Sequence, residues 1–273
     1  MLIQVGYDII FEHPAPTPII AMLYLHPERA DSIRRGEHIL VEPQVAVHDY
    51  TDGFGNRCAR LVAPAGPVRL WNDAVVADDG QLDPQQPDAP QHEIHELPDE
   101  ALTFLIASRY CEVDRMVETA WRLFGDTPPG WARVQAVCSY VHRHIRFDYL
   151  QARPTRSAFE THEEGVGVCR DFAHLAVTLC RCLNIPARYC TGYLGDFGVP
   201  VSPEPMDFSA WFEAYLGGHW YTFDARHNAR RIGPVLMARG RDAADVALLT
   251  AFGPSHLERF TVWSDEVGTE VLG

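Results

Sequence analysis

The chain has 273 residues, 47% of them hydrophobic, and a formal net charge of −14. That is enough apolar material for one large domain or two ordinary ones, and the negative charge excludes binding nucleic acid through its phosphates. No basic stretch leads into an apolar run at the N-terminus, and no apolar run nears the roughly 20 residues that cross a bilayer. A cytoplasmic protein with no membrane partner is expected.

All 23 basic residues are arginine; the chain has no lysine. Codon bias in a GC-rich genome accounts for this, as does an acyl-transfer enzyme that offers no amine on its own surface, and composition does not separate the two. The seven cysteines are odd in number. Cys180 and Cys182 are separated by one residue, where zinc pairs usually have two or more. They read as reduced thiols, and neither a metal nor a cofactor is expected.

In chain order, residues 1–76 read as strands and turns. Ile3 to Ile9 alternates with period two, 38–43 and 44–48 are further short strands, and Asp52-Gly53-Phe54-Gly55-Asn56 is a turn. These predict a small antiparallel β-sandwich domain. Residues 77–100 hold eight acids, four prolines and no arginine, a composition that reads as an exposed linker. Residues 101–273 are the remaining unit. It opens with helices over 114–124 and 131–145, the second led by Pro128-Pro129-Gly130. Gly165-Val166-Gly167-Val168 then leads into a helix from Cys169 to about Leu183. Strands at 187–194, 208–216 and 219–224 follow, the last two joined at Gly217-Gly218, a hairpin turn. The stretch from Gly195 to Met206 reads as a rim loop beside the site.

Cys169 stands where a glycine-rich turn becomes a helix, a place where unpaired N–H groups and the helix dipole favour a thiolate. The hairpin register pairs Leu216 with His219, Trp211 with Asp224 and Ser209 with Arg226, which puts Ser209 and Asp224 on one face as diagonal neighbours. On periodicity alone, that face is a solvated acidic surface.

Three segments together resemble the transglutaminase-like superfamily. They are Gly165 to Leu175 around Cys169, Leu183 to Tyr193, and the hairpin carrying Ala210-Trp211-Phe212-Glu213, Trp220 and Asp224. Gly240-Arg241-Asp242-Ala243-Ala244-Asp245 and the Asp52 to Asn56 turn resemble flanking segments of bacterial members. The resemblance implies an α+β fold, with a papain-like transglutaminase core in which the Cys helix packs on an antiparallel sheet, behind the β-sandwich. It also implies a Cys-His-Asp triad that acts on an amide or isopeptide of a peptide or protein substrate through a Cys169 thioester. By position Cys169 is the nucleophile and Asp224 the orienting acid. The family's histidine position is Ser209 here, and a hydroxyl is no base near neutral pH. Of the 13 histidines, His227, three residues past Asp224, ranks first as a substitute, and a plain surface role for it stays equally open. His162 is unplaced, His174 points around the helix, and His219 lies on the wrong face. The alternative is a non-catalytic peptide- or protein-binding module built on the same core.

Overall fold

A computed structural model of the chain describes residues 1–201 and 205–272. The first half is strands: β1 (Leu2–His13), β2 (Thr17–Ala21), β3 (Ile33–Arg35), β4 (Leu40–Glu42), β5 (His48–Thr51), β6 (Arg57–Ala63) and β7 (Gly66–Ala77). Residues 44–47, expected as strand, are not; pairing resumes at His48. The second half runs α1 (Asp99–Leu102), α2 (Val113–Phe124), α3 (Trp131–His144), β8 (Arg146–Phe147), α4 (Ala158–Glu164), β9 (Val166–Gly167), α5 (Cys169–Cys182), β10 (Ala187–Tyr193), β11 (Ser209–Leu216), β12 (His219–Phe223), β13 (Val235–Gly240), β14 (Leu249–Ala251) and β15 (His256–Val267).

Three antiparallel sheets carry the fold, in the orders β15-β1-β7-β3 (with β4 also on β7), β14-β2-β6-β5 and β12-β11-β10-β13. The pairing does not follow the division expected from composition. Residues 249–251 and 256–267, placed there in the unit 101–273, run in the two N-terminal sheets. β15 pairs with β1 along nearly its whole length, Leu2 opposite Val267 and Glu12 opposite His256. The physical reason lies in β1, which has a partner on each side, β7 and β15. Only β7 comes from the adjacent sequence, and the chain's other end supplies the second ladder.

The acidic stretch 77–100 is also more than a linker. Ala89 and Leu97 are buried. The Ala89 carbonyl accepts from Trp131 N–H at 3.1 Å, the Pro90 carbonyl accepts from Gly217 N–H at 2.9 Å, and Asp83 N–H donates to the Arg231 carbonyl at 2.9 Å. Most of its acidic side chains face solvent, Asp78 and Asp83 being the exceptions, while its backbone straps across the second half.

α5 is buried from Asp171 to Cys182. Phe172, Leu175, Ala176 and Leu179 pack in one core with Met116 and Ala120 of α2, Val134 and Val137 of α3, and Phe212 and Ala214 of β11. A helix covered on all sides needs its polar groups satisfied internally. Arg181, 2% exposed, does so by donating to the carbonyls of Ala187, Ile106 and Arg241. The N-terminal core (Val5, Tyr7, Ile9, Leu61, Leu70) continues into Tyr193, Phe208, Val235 and Met237 of the second half, so the halves share apolar packing. Asn56, fully buried, adds a polar seam by exchanging hydrogen bonds with the Arg239 backbone at 2.8 and 2.9 Å. This is the structural work of the Asp52 to Asn56 turn.

Gly6 tests the β15–β1–β7 sandwiching. A Cβ there would lie 2.2 Å from the Trp263 ring and 2.3 Å from the Asn72 carbonyl oxygen. Gly6→Ala is expected to destabilise the protein by about 1–3 kcal/mol in urea unfolding, the range for overpacking, whereas Gly53→Ala, with open space around it, stays near wild type. Equal stability of Gly6→Ala and wild type would contradict the paired placement of β15.

Candidate active site

Cys169 is the first residue of α5, preceded by Val168 in extended conformation. The turn is held by Asp171, which has no solvent exposure. One carboxylate oxygen of Asp171 accepts the Val168 N–H at 3.0 Å and the Arg156 guanidinium at 3.2 Å, and the other accepts Arg170 at 3.1 Å. Gly167 permits this approach, since a Cβ there would stand 2.7 Å from the Asp171 carboxylate. The glycine of the sequence motif therefore makes room for the cap rather than for substrate.

Of the seven cysteines, the other six are buried and Cys169 alone is partly accessible. It opens on a cavity of about 420 Å³ at the junction of the two halves, lined also by Tyr189 and Thr191 of β10, Asp207 and Ser209, and Val246 and Leu249. The thiol is not acidified at rest. Desolvation pushes it up to about 11, and Asp207 adds to this; the Arg226 charge and the main-chain N–H groups of Ala210 and Arg170 oppose it without winning. The helix terminus acts in the expected direction, but burial is the larger effect.

The hairpin forms as the Gly-Gly turn predicts, with Gly217 and Gly218 at φ 55° and 85° and Leu216 opposite His219. The ladder ends at Phe212–Phe223, so the expected pairings of Trp211 with Asp224 and of Ser209 with Arg226 do not form. The reason is a turn built on Asp224. One carboxylate oxygen accepts the N–H groups of Arg226 and His227 at 2.9 and 3.1 Å, and the other meets His227 Nδ1 at 2.5 Å. Asn228 completes the turn with φ 49°. Because a carboxylate only accepts, Nδ1 carries the proton of this pair and Nε2 is left as the basic nitrogen.

The structure thus hydrogen-bonds Asp224 to His227 and brings Cys169 and Ser209 to the wall of one cavity. Asp224 borders a separate cavity of about 60 Å³ with Asn228 and with Asp83 from the acidic strap. Burial pushes the Asp83 carboxyl up to about 6. Arg226 lies between Asp224 and His227 in sequence, its guanidinium 3.8 Å from the Phe147 ring centre. The other histidines weighed from the sequence sit elsewhere. His174 is fully buried and accepts the Ala243 N–H at 3.1 Å, held neutral by desolvation. His162 stacks on His144 at 4.8 Å and meets the Tyr140 hydroxyl at 3.2 Å. His219 is exposed on the hairpin. Sequence reasoning passed over Asp207, whose period-two relation to Ser209 was the available signal. The rim-loop reading of 195–206 falls partly on residues 202–204, which lie outside the described residues. Among the described residues no three His, Cys, Asp or Glu side chains converge to hold a metal, and no helix is long and apolar enough to cross a membrane.

A model of the transglutaminase-like superfamily matches residues 119–225, from α2 to just past Asp224. A crystal structure from Cytophaga hutchinsonii, of a protein provisionally described as a cysteine protease, superposes with TM-score 0.84 at 31% identity, covering 98% of this chain and 91% of that one. The chain belongs to the transglutaminase-like superfamily. An uncharacterised Mycobacterium leprae protein is 36% identical over 86 residues, 30% of each chain, so this match spans under a third of that relative's length. The periplasmic domain of TgpA from Pseudomonas aeruginosa aligns at TM-score 0.43 and 15% identity over 82% of this chain and 88% of that one, too remote to bear on chemistry.

Asp171→Asn keeps an acceptor for Val168 but leaves the buried Arg156 without its anion on that side. It is expected to lower unfolding stability by about 3 kcal/mol, the scale for breaking a buried pair. A shift below about 0.5 kcal/mol in urea unfolding would show that the start of α5 is held by something else.

Proposed function

We propose that this superfamily member is a cysteine-dependent amide or isopeptide hydrolase that works through a Cys169 thioester, with a peptide or protein as substrate. The observation that carries the reading is the placement of the one accessible thiol at the first residue of α5, opening on a cavity of about 420 Å³. The main-chain N–H groups of Ala210 and Arg170 that meet the sulfur are donors of the kind that steady developing negative charge. In this reading the thiolate attacks the substrate carbonyl, the amine leaves with a proton, and water releases the acid from the thioester. Hydrolysis is favoured over transfer because nothing in the chain marks a dedicated amine site.

Proton handling is assigned to His227, oriented by Asp224. The support is the 2.5 Å contact that leaves Nε2 free. Since His227 lines no wall of the Cys169 cavity, it exchanges protons with the sulfur through water. A second reading, a binding module without catalysis, is favoured by the serine that stands where the family has its base, beside a thiol that burial pushes up to about 11.

An activated peptide ester separates the two. Intact mass should show an acyl adduct that Cys169→Ala abolishes. His227→Ala should lower kcat/KM by roughly 100-fold, within the usual range for a lost general base, and adding Ser209→His to that variant should restore part of it. Absence of any Cys169-dependent adduct selects the binding module. Full activity of His227→Ala would remove this histidine from the mechanism.

A further inference from the structure

The Cys169 cavity is mostly apolar, through Ala243, Val246, Leu248 and Leu249, and Asp207 is the carboxylate among its lining residues. Its two lining arginines are already engaged. Arg153 pairs with Glu160 and Glu164 at 3.1 and 2.9 Å, and Arg170 with Asp171 and the Pro154 carbonyl, both at 3.1 Å. Asp207 has no ion pair among the described residues. Its near neighbours are the Phe208 N–H and the more distant charge of Arg226, and burial holds its carboxyl above the ordinary range. A half-desolvated acid in an apolar cavity, without a salt bridge, suits a cation that brings its own apolar arm.

We propose that Asp207 recognises a protonated amine or similar cation carried on an apolar arm of the substrate, and that filling this position converts Cys169 from an inert thiol toward its reactive form. The substrate identity rests on the hydrolase reading; the coupling between Asp207 and Cys169 does not need turnover. The cation keeps its proton and forms no bond, so it is a recognition element and not the attacking group.

The charges facing Cys169 fix the sign. Arg226 favours the thiolate and Asp207 opposes it. Arg153, Arg170 and Asp171 are offset by their own partners, and the buried Tyr189 phenol is neutral, its pKa well above the ordinary value. Neutralising Asp207 therefore removes an opposing charge, and at fixed pH the thiolate fraction rises.

The test is the rate at which iodoacetamide labels Cys169 in the full chain near pH 8, read by peptide mapping, with n-butylammonium as probe and n-butanol as its neutral counterpart. Saturating butylammonium is expected to speed labelling about tenfold, the change made by one pKa unit, while butanol does not. Asp207→Asn should label about tenfold faster unaided and ignore the cation, and Asp207→Glu should keep the response. Indifference of the wild type to butylammonium overturns the proposal, as does a butylammonium response that persists in Asp207→Asn. The wild-type comparison decides the matter even where a variant folds poorly. Cation-accelerated labelling without turnover of any acyl substrate would sink the hydrolase reading and spare this one. Efficient turnover of uncharged substrates with cation-indifferent labelling would do the reverse.

Discussion

A carboxylate shut away from solvent, Asp171, sets the geometry on which the site depends. Burying an anion is unfavourable unless it is paired and fully hydrogen-bonded, and Asp171 meets both conditions with Arg156, Arg170 and the Val168 N–H. The consequence is a rigid start to α5, so the first helical residue, Cys169, has a fixed direction. Gly167 is part of the same constraint, because any side chain there would occupy the carboxylate's place.

What that direction opens onto is decided elsewhere in the chain. The N-terminal sheets complete themselves with β14 and β15, which draws the segment from Ala243 to Leu249 along the Cys169 cavity. The cavity wall is therefore a product of tertiary closure. Gly240 to Asp245 makes the bend: Arg241 pairs with Asp245, Asp242 accepts the Tyr110 N–H at 2.7 Å, and Ala243 N–H reaches His174.

Much of this was legible in the sequence where local chemistry decides structure. The Gly-Gly hairpin, α3 behind its Pro-Pro-Gly and the Cys169 helix follow from turn propensity and 3.6-residue periodicity. The return of β15 was not legible, because strand pairing over some 250 residues leaves no local signal. Nor was the strap, where acidic side chains mask a backbone that bonds to Trp131 and Gly217. At the site, the place of Cys169 at the head of a helix could be read from sequence. The turn that ends the ladder at Phe212–Phe223 and hands the Asp224 carboxylate to His227 could not, since the alternating pattern runs on to Arg226. Asp207 was missed because an acid beside a hairpin reads as solvated until the apolar wall is known.

Electrostatics then set the state of the Cys169 thiol. Helix-terminal N–H groups and Arg226 draw the sulfur toward the anion, while desolvation and Asp207 hold the proton on it, and the second set prevails. The most direct measurement is the ultraviolet thiolate absorbance of the wild type minus that of Cys169→Ser across pH. The account predicts a difference that stays flat through neutrality and rises only toward pH about 11. A difference already complete at neutral pH would show a resting ion-paired thiolate and contradict it.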